Sequence, residues 1–170
     1  MRKFWQYHER QYFQDYDGNV SILEETDNTN LNYDKGPWIF RMLERAVGSE
    51  SFARAMTLYS QRSLGGSADW QTLADCFRQQ NVPGFDAQQF LIPWLRERSA
   101  PRITSHVEGS TVTLHQDGPY FPLLVSLKGA TAHGVERREV WMRSADASID
   151  FSRAVSSVQV DPDHLLLLKR

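Results

Sequence analysis

The chain has 170 residues, of which 41% are hydrophobic and 24% are charged. This composition is enough for a buried core, argues against a disordered chain, and allows one domain or two small ones. The net charge of the chain is -2. Proteins that bind nucleic acids by neutralising phosphates are usually basic, so no nucleic-acid partner is expected. The single cysteine, Cys76, excludes an internal disulfide and a Cys-rich zinc module. No apolar run approaches the roughly 18 residues of a membrane span, so no membrane partner is expected.

The N-terminus does not resemble a signal peptide, because His8, Glu9 and Arg10 interrupt the region that should be apolar. If the chain is a piece of a longer protein, its natural N-terminus lies elsewhere. The sequence therefore leaves the cellular compartment open.

The region before Pro101 has apolar residues at helical spacing. A first helix is predicted from Arg2 to Asp15, and the polar stretch 18–32 is interpreted as an ordered loop. A second helix is predicted from about Asp34 to Val47, because Pro37 is tolerated only in the first turn of a helix.

Three further helices are predicted by the same criterion. The third contains Phe52 and Tyr59, the fourth is predicted to be capped by Ser67, and the fifth by Asp86. Pro93 is expected to kink the fifth helix or to start a new turn. Short connections between these helices predict an antiparallel helical bundle over residues 1–101.

From residue 102 to 170, short apolar runs alternate with turn residues. Glu108-Gly109-Ser110 indicates a hairpin turn. About seven strands are predicted, at Ile103–Val107, Thr111–His115, Tyr120–Leu127, Arg138–Arg143, Ser148–Phe151, Ser157–Val160 and Leu165–Leu168. We therefore predict an α+β protein in which the helical region, 1–101, precedes a small antiparallel β-sandwich domain, 102–170.

Most candidate reactive groups have a structural interpretation. His8 and Glu9 begin a His-Glu-x-x-His zinc motif, but Tyr12 stands where the second imidazole is required, so both are interpreted as exposed polar residues. His115 with Asp117 is interpreted as a solvated surface pair, and so is His133 with Glu136. Cys76 is interpreted as a buried structural thiol.

One segment has a chemical interpretation. Tyr33-Asp34-Lys35-Gly36 stands where the second helix is predicted to start, so the Tyr33 phenol would project from the positive end of the helix dipole. Phenols have a reference pKa of about 10 and are donors at neutral pH. Such a donor can stabilise the oxyanion of a tetrahedral intermediate. Gly36 is expected to let this turn approach a neighbouring element closely.

This segment and the residues after it resemble the zinc aminopeptidases of the M1 type, the aminopeptidase N-like gluzincins. The resemblance begins at the Tyr-x-Lys-Gly helix and continues with Val47-Gly48 and Phe52, then Ala68-Asp69-Trp70, in the family's order. It ends with Val158-Gln159-Val160-Asp161-Pro162, which is similar to the Asp-Pro ending of the family's β-sandwich domain. It covers about Asn32 to Arg170.

The resemblance implies that Tyr33 is a catalytic residue that hydrogen-bonds the transition-state oxyanion while a zinc-bound water attacks a peptide carbonyl. In the family, zinc is held by His-Glu-x-x-His and a distant Glu, and the motif Glu is the general base. None of these ligands is found in this sequence. The resemblance thus implies that this chain is the C-terminal part of an aminopeptidase that acts on peptide substrates. It implies zinc as the cofactor of the whole enzyme and no cofactor in this chain.

Two other functions stay open. A non-catalytic binding or scaffold module would use the β-sandwich to hold a partner, and carbohydrate binding would use Tyr120, Phe121 and Trp141 as a stacking surface. An incomplete catalytic domain is also expected to expose apolar surface and to self-associate. The sequence does not indicate which substrate side chain is preferred.

Overall fold

A computed structural model describes residues 2–24 and 29–170 of the chain. Within these residues, five α-helices precede six β-strands, which confirms the predicted α+β class and its order. The helices are α1 (Arg2–Gln11), α2 (Thr29–Val47), α3 (Ser49–Ser63), α4 (Trp70–Arg78) and α5 (Ala87–Arg96). The strands are β1 (Arg102–Glu108), β2 (Thr111–Asp117), β3 (Leu123–Thr131), β4 (Gly134–Met142), β5 (Asp146–Asp150) and β6 (Val155–Val160). Among the described helices, none has both the length and the apolarity needed to cross a bilayer.

The first helix extends about as far as predicted, because a π-helical turn, Tyr12–Tyr16, continues it. The buried side chains of Tyr12 and Tyr16 hold this turn against the core. The loop prediction for 18–32 is only partly tested, because residues 25–28 lie outside the described part. Its last residues are helical, which contradicts that prediction for 29–32.

The predicted start of the second helix is wrong by about one turn. The helix begins at Thr29 rather than near Asp34, and Pro37 lies in its interior. A proline inside a helix removes one hydrogen bond and is normally destabilising. Here, the buried side chains of Asp34 and Lys35, which precede Pro37, fix those turns against other helices.

The caps of α4 and α5 are carboxylates. Asp69, not Ser67, caps α4, since its Oδ1 accepts a hydrogen bond from the Thr72 N–H at 2.7 Å. Asp86 caps α5 as predicted and accepts from Gln89 N–H at 2.9 Å. Helix α5 continues through Pro93 to Arg96.

The strands form two three-stranded antiparallel sheets, in the orders β1-β2-β5 and β4-β3-β6. The predicted hairpin joins β1 to β2, and Glu108 pairs with Thr111. Alternate residues of β2 and β3 are buried, as the period of a strand requires. The sandwich arrangement and the division into domains at 101/102 stay predictions.

Two strand predictions are corrected. The strand predicted at Tyr120–Leu127 lies at Leu123–Thr131, which leaves Pro122 before it. The run Leu165–Leu168 is not a strand, although Leu166, Leu167 and Leu168 are buried. Within the described residues, this tail is joined to the sheet by one parallel bridge, between Arg102 and Lys169.

Aromatic side chains and one arginine join the helical and strand regions. The rings of Trp94 and Phe121 lie 4.5 Å apart, and both residues are fully buried. Trp141 faces the helical region, with its ring 6.1 Å from that of Phe85. Arg45 of α2 donates to the backbone oxygen of Leu124 at 3.0 Å. Because Phe121 is enclosed in this core, it cannot contribute to the stacking surface that the alternative of carbohydrate binding requires.

Candidate functional site

Tyr33 lies in the second turn of α2 and is 66% exposed. It is not in front of the helix, so the predicted projection from the positive helix end is corrected. Among the described residues, its phenol O–H has no hydrogen-bond partner. The side chain is therefore open to a molecule approaching this face.

Asp34, the next residue, fastens α2 to α1. Its Oδ1 lies 2.6 Å from Nδ1 of His8, and Asp34 is buried while His8 is half-buried. The interpretation of His8 as an exposed polar residue is therefore wrong. The rings of Phe4 and His8, with centroids 4.3 Å apart, further restrict the imidazole.

Lys35 fastens α2 to the end of α5. It is fully buried, and its Nζ donates to the backbone oxygen of Glu97 at 2.7 Å. This carbonyl lies at the negative end of the α5 dipole, which favours a cation. Burial lowers the pKa of Lys35 to about 8, while the charges of Asp17 and Glu97 oppose the shift. The ammonium also lies 5.7 Å from the centre of the Tyr12 ring.

These contacts give the Tyr-x-Lys-Gly segment a simple geometry. Consecutive helical residues are turned by about 100° from one another, so Tyr33, Asp34 and Lys35 point in three directions. Two of those directions are occupied by buried polar contacts to α1 and α5. The third direction, that of Tyr33, is left open.

Pro37 changes the backbone at the same place. In a regular helix the N–H of residue 37 donates to the carbonyl oxygen of residue 33, but proline has no N–H. The Tyr33 carbonyl therefore lacks its usual intrahelical donor.

A groove of about 430 Å³ lies between α2 and the start of α4, and Tyr33 is not one of its lining residues. Asn32 and Gly36, which flank Tyr33 on α2, line it together with Phe40, Asp69 and Trp70. Apart from its chain neighbours and the backbone of α2, no atom of the described residues lies within 4 Å of where a Gly36 side chain would begin, so the expected close approach at Gly36 is wrong. Its missing side chain instead keeps this groove open.

The acidic group at the groove is Asp69. The backbone N–H of Thr72, followed by its hydroxyl, lowers the pKa of this carboxyl below its ordinary value. Because the Asp69 carboxylate accepts these hydrogen bonds, its role is to cap α4.

The described residues offer no metal site. In the ranges 2–24 and 29–170, no group of three or more His, Cys, Asp or Glu side chains could hold a metal ion. His115 lies 2.7 Å from Asp146 and 3.6 Å from Asp117, and all three are exposed, in agreement with the predicted surface pair. Its hydrogen bond to Asp146 raises the pKa of His115.

Cys76 is a buried free thiol, as predicted. Burial raises the pKa of Cys76, and the opposing effect of Arg62 is smaller. A thiol in this state is a poor nucleophile.

Sequence reasoning missed the burial of Lys35 and the pairing of His8 with Asp34. The sequence contains no signal for the pairing, because the two residues are 26 positions apart. Lys35 was recognised as part of the motif, but a lysine in a polar segment is usually exposed.

No protein-family model matches the chain. A probable aminopeptidase 1 from Sulfurisphaera tokodaii is 28% identical over 144 residues, which is 78% of this chain and 17% of that relative. Aminopeptidase M1-C from Oryza sativa is 28% identical over 87 residues, which is 51% of this chain and 10% of that relative. The chain thus spans less than a fifth of the length of these relatives.

The fold has a counterpart among solved structures. Legionella pneumophila aminopeptidase A, solved in complex with aspartic acid, matches with a TM-score of 0.66 and 18% sequence identity. The match covers 82% of this chain and 18% of that protein. Together, these relatives confirm that the chain resembles part of an aminopeptidase of the M1 type.

Proposed function

We propose that this chain is the C-terminal part of a zinc-dependent aminopeptidase, which removes N-terminal residues from peptides, and that Tyr33 is its transition-state oxyanion donor. The supporting observation is that Tyr33 is open to solvent while the two residues that follow it, Asp34 and Lys35, are fixed by buried contacts. The relatives named in the preceding subsection are aminopeptidases, which supports the reaction class.

The chemistry requires a donor where negative charge develops. Attack on a peptide carbonyl produces a tetrahedral oxyanion, and a positioned hydrogen-bond donor contributes about 10²–10³-fold to turnover. The Tyr33 O–H is such a donor, with no competing partner among the described residues. The contacts of Asp34 and Lys35 hold its helix, so little reorganisation is needed when the oxyanion forms.

Zinc does not fit the residues described. With no three-ligand group in this part of the chain, the proposal assigns the metal to polypeptide outside it. The 170-residue chain alone is therefore expected to be inactive. Its exposed apolar side chains, Phe4, Tyr7 and Leu23, support the expectation of self-association, which sedimentation velocity would measure.

The first test uses the purified 170-residue chain. A leucyl aminocoumarin substrate should give no fluorescence above the buffer rate, and elemental analysis should find no stoichiometric zinc. Either turnover or bound zinc in this chain would falsify the proposal that the zinc site lies in polypeptide outside it.

The second test replaces Tyr33 by Phe in the longer protein. Turnover should fall by about 10²-fold while KM changes little, because the lost interaction forms only in the transition state. Tyr7→Phe is the matched control, since Tyr7 is also an exposed tyrosine but lies on α1. Equal activity of the Tyr33 and Tyr7 variants would remove Tyr33 from the mechanism.

The reading frame upstream of Met1 separates this proposal from a non-catalytic module. An in-frame His-Glu-x-x-His segment, with a third ligand, supports the enzyme. A translation start at Met1 would instead favour a module that binds a partner.

A further inference from the structure

The turn of α2 that carries Tyr33 has fewer hydrogen bonds of its own than a turn inside a regular helix. Tyr33 lies in the second turn of α2, which begins at Thr29. The first four N–H groups of a helix have no acceptor within it. Pro37, which has no N–H, also leaves the carbonyl of Tyr33 without its usual donor. Contacts to other elements are therefore needed to fix this turn.

Asp34 makes such a contact directly after Tyr33 in the sequence. Its Oδ1 lies 2.6 Å from Nδ1 of His8 in α1, which is hydrogen-bonding distance. The side chain of Asp34 is 8% exposed and that of His8 is 16% exposed. A carboxylate with so little access to water requires a donor, and the His8 imidazole supplies one.

The His8 imidazole is in turn held by aromatic rings of its own helix. The centre of the Phe4 ring lies 4.3 Å from that of His8. The ring of Tyr7 lies 5.2 Å away and meets the imidazole edge to face, at 85°. These ring contacts restrict the orientation of the imidazole. The partner of Asp34 is therefore placed by the packing of α1.

The contact of His8 can be removed with less damage than the second contact that fixes this turn. That second contact joins Lys35 to the Glu97 carbonyl, and Lys35 is fully buried next to the Tyr12 ring. Replacing Lys35 would disturb the core as well as the turn. His8 is only half-buried, so its role is open to substitution.

We propose that His8 is a positioning residue for Tyr33, because its contact with Asp34 fixes the turn of α2 from which the phenol projects. The inference rests on the proposed function, in which the Tyr33 O–H stabilises the oxyanion. His8 acts through Asp34 and the backbone of α2, not through a contact with the reacting atoms. A misplacement of about 1 Å can cost about 10²-fold in rate, so turnover is the quantity that depends on this contact.

The first experiment replaces His8 in the longer protein. His8→Phe keeps an aromatic ring beside Phe4 and Tyr7 and removes the nitrogen that meets Asp34. We expect kcat to fall by about tenfold while KM changes by less than about twofold. His8→Asn restores an N–H donor on the corresponding side-chain carbon, so it should recover most of the turnover. If circular dichroism shows that His8→Phe is unfolded, His8→Ala takes its place.

A double-mutant cycle separates positioning from a general structural role. In a Tyr33→Phe background, His8→Phe should cause no further loss of kcat, because the donor that His8 positions is already absent. Equal losses of kcat in both backgrounds would overturn the proposal. Full turnover of Tyr33→Phe alone rejects the proposed function and this inference with it. A large effect of Tyr33→Phe with none of His8→Phe rejects the positioning role only.

Hydrogen exchange of the same variants gives a readout that does not depend on activity. Amide groups of α2 before Pro37 should exchange about tenfold faster in His8→Phe than in the parent, whereas those of α3 should not change. His106→Ala is the matched control, since His106 is an exposed histidine on β1. Unchanged exchange before Pro37, or an equal effect of His106→Ala, contradicts the proposal.

Discussion

Gln116 in β2 and Trp38 in α2 are both almost completely buried, yet their polar atoms have different surroundings. The Gln116 side chain accepts from the Phe121 N–H at 3.0 Å and donates to the Phe121 carbonyl at 2.7 Å. The Trp38 indole N–H has no partner among the described residues. A paired buried amide specifies structure, whereas an unpaired buried donor costs free energy. The pairing of Gln116 is thus the better place to look for stability.

The largest effect on stability is expected from a substitution of Gln116, the buried residue whose side chain is paired. Gln116→Leu should lower the free energy of unfolding by about 3 kcal/mol, because it leaves the buried N–H and carbonyl of Phe121 without partners. Urea denaturation followed by circular dichroism measures the change.

The control makes the same substitution on an exposed strand position. Gln159→Leu in β6 should change the free energy of unfolding by less than about 0.5 kcal/mol. Similar losses in the two variants would mean that the buried amide of Gln116 is not what stabilises this sheet.

Lys35 gives the next effect, and it depends on pH. Its pKa is about 8 in the folded chain and 10.5 ordinarily, so between these values the unfolded chain binds more protons. The cost of burying the charge is therefore complete below pH 8 and is relieved as pH rises. Between pH 8 and 10, the stability of the parent chain should rise by about 2 kcal/mol relative to Lys35→Met.

Urea denaturation at several pH values between 7 and 10 measures this difference. Burial raises the pKa of Tyr12 above its ordinary value. The titration of Tyr12 therefore lowers the free energy of unfolding only above about pH 10. Lys3→Met, at an exposed position of α1, is the control. A difference between the parent chain and Lys35→Met that is constant over this range would refute a buried, charged Lys35.

The smallest effect concerns a helix end beside the groove. Asp69→Ala should lower Tm by a few degrees, because the Thr72 N–H loses its cap. Ser67→Ala should leave Tm unchanged, since Ser67 does not cap α4. Differential scanning calorimetry compares the two, and a larger effect at Ser67 would contradict the assigned cap.

Local patterns predicted the helices, the Asp86 cap and the first hairpin, because each depends on residues close together in the sequence. The predicted start of α2 was wrong. The rule that proline occurs in the first turn of a helix did not hold for Pro37, because contacts of Asp34 and Lys35 to other helices stabilise the turns before it. It failed again at Leu165–Leu168, because an apolar run indicates burial and not strand pairing.

Tyr33 and the cavity between α1, α2 and the tail after β6 differ in how far sequence could predict them. The proposed role of Tyr33 follows from a contiguous motif and a resemblance to a family. The cavity is lined by Glu9, Trp38, Arg41 and His164 among others, which are scattered over most of the chain. No local pattern marks such a set, since only the packing of α1, α2 and the tail brings it together.

Pro37 separates two parts of α2 that are held by different contacts. The turns that carry Tyr33 are held through His8 and the Glu97 carbonyl, whereas the far end is tied to the sheet through Arg45. With the hydrogen bond at Pro37 missing, the two ends are less rigidly coupled than in an uninterrupted helix. The position of the Tyr33 side chain is consequently set first by the contacts of His8 and of the Glu97 carbonyl, which lie on its own side of Pro37.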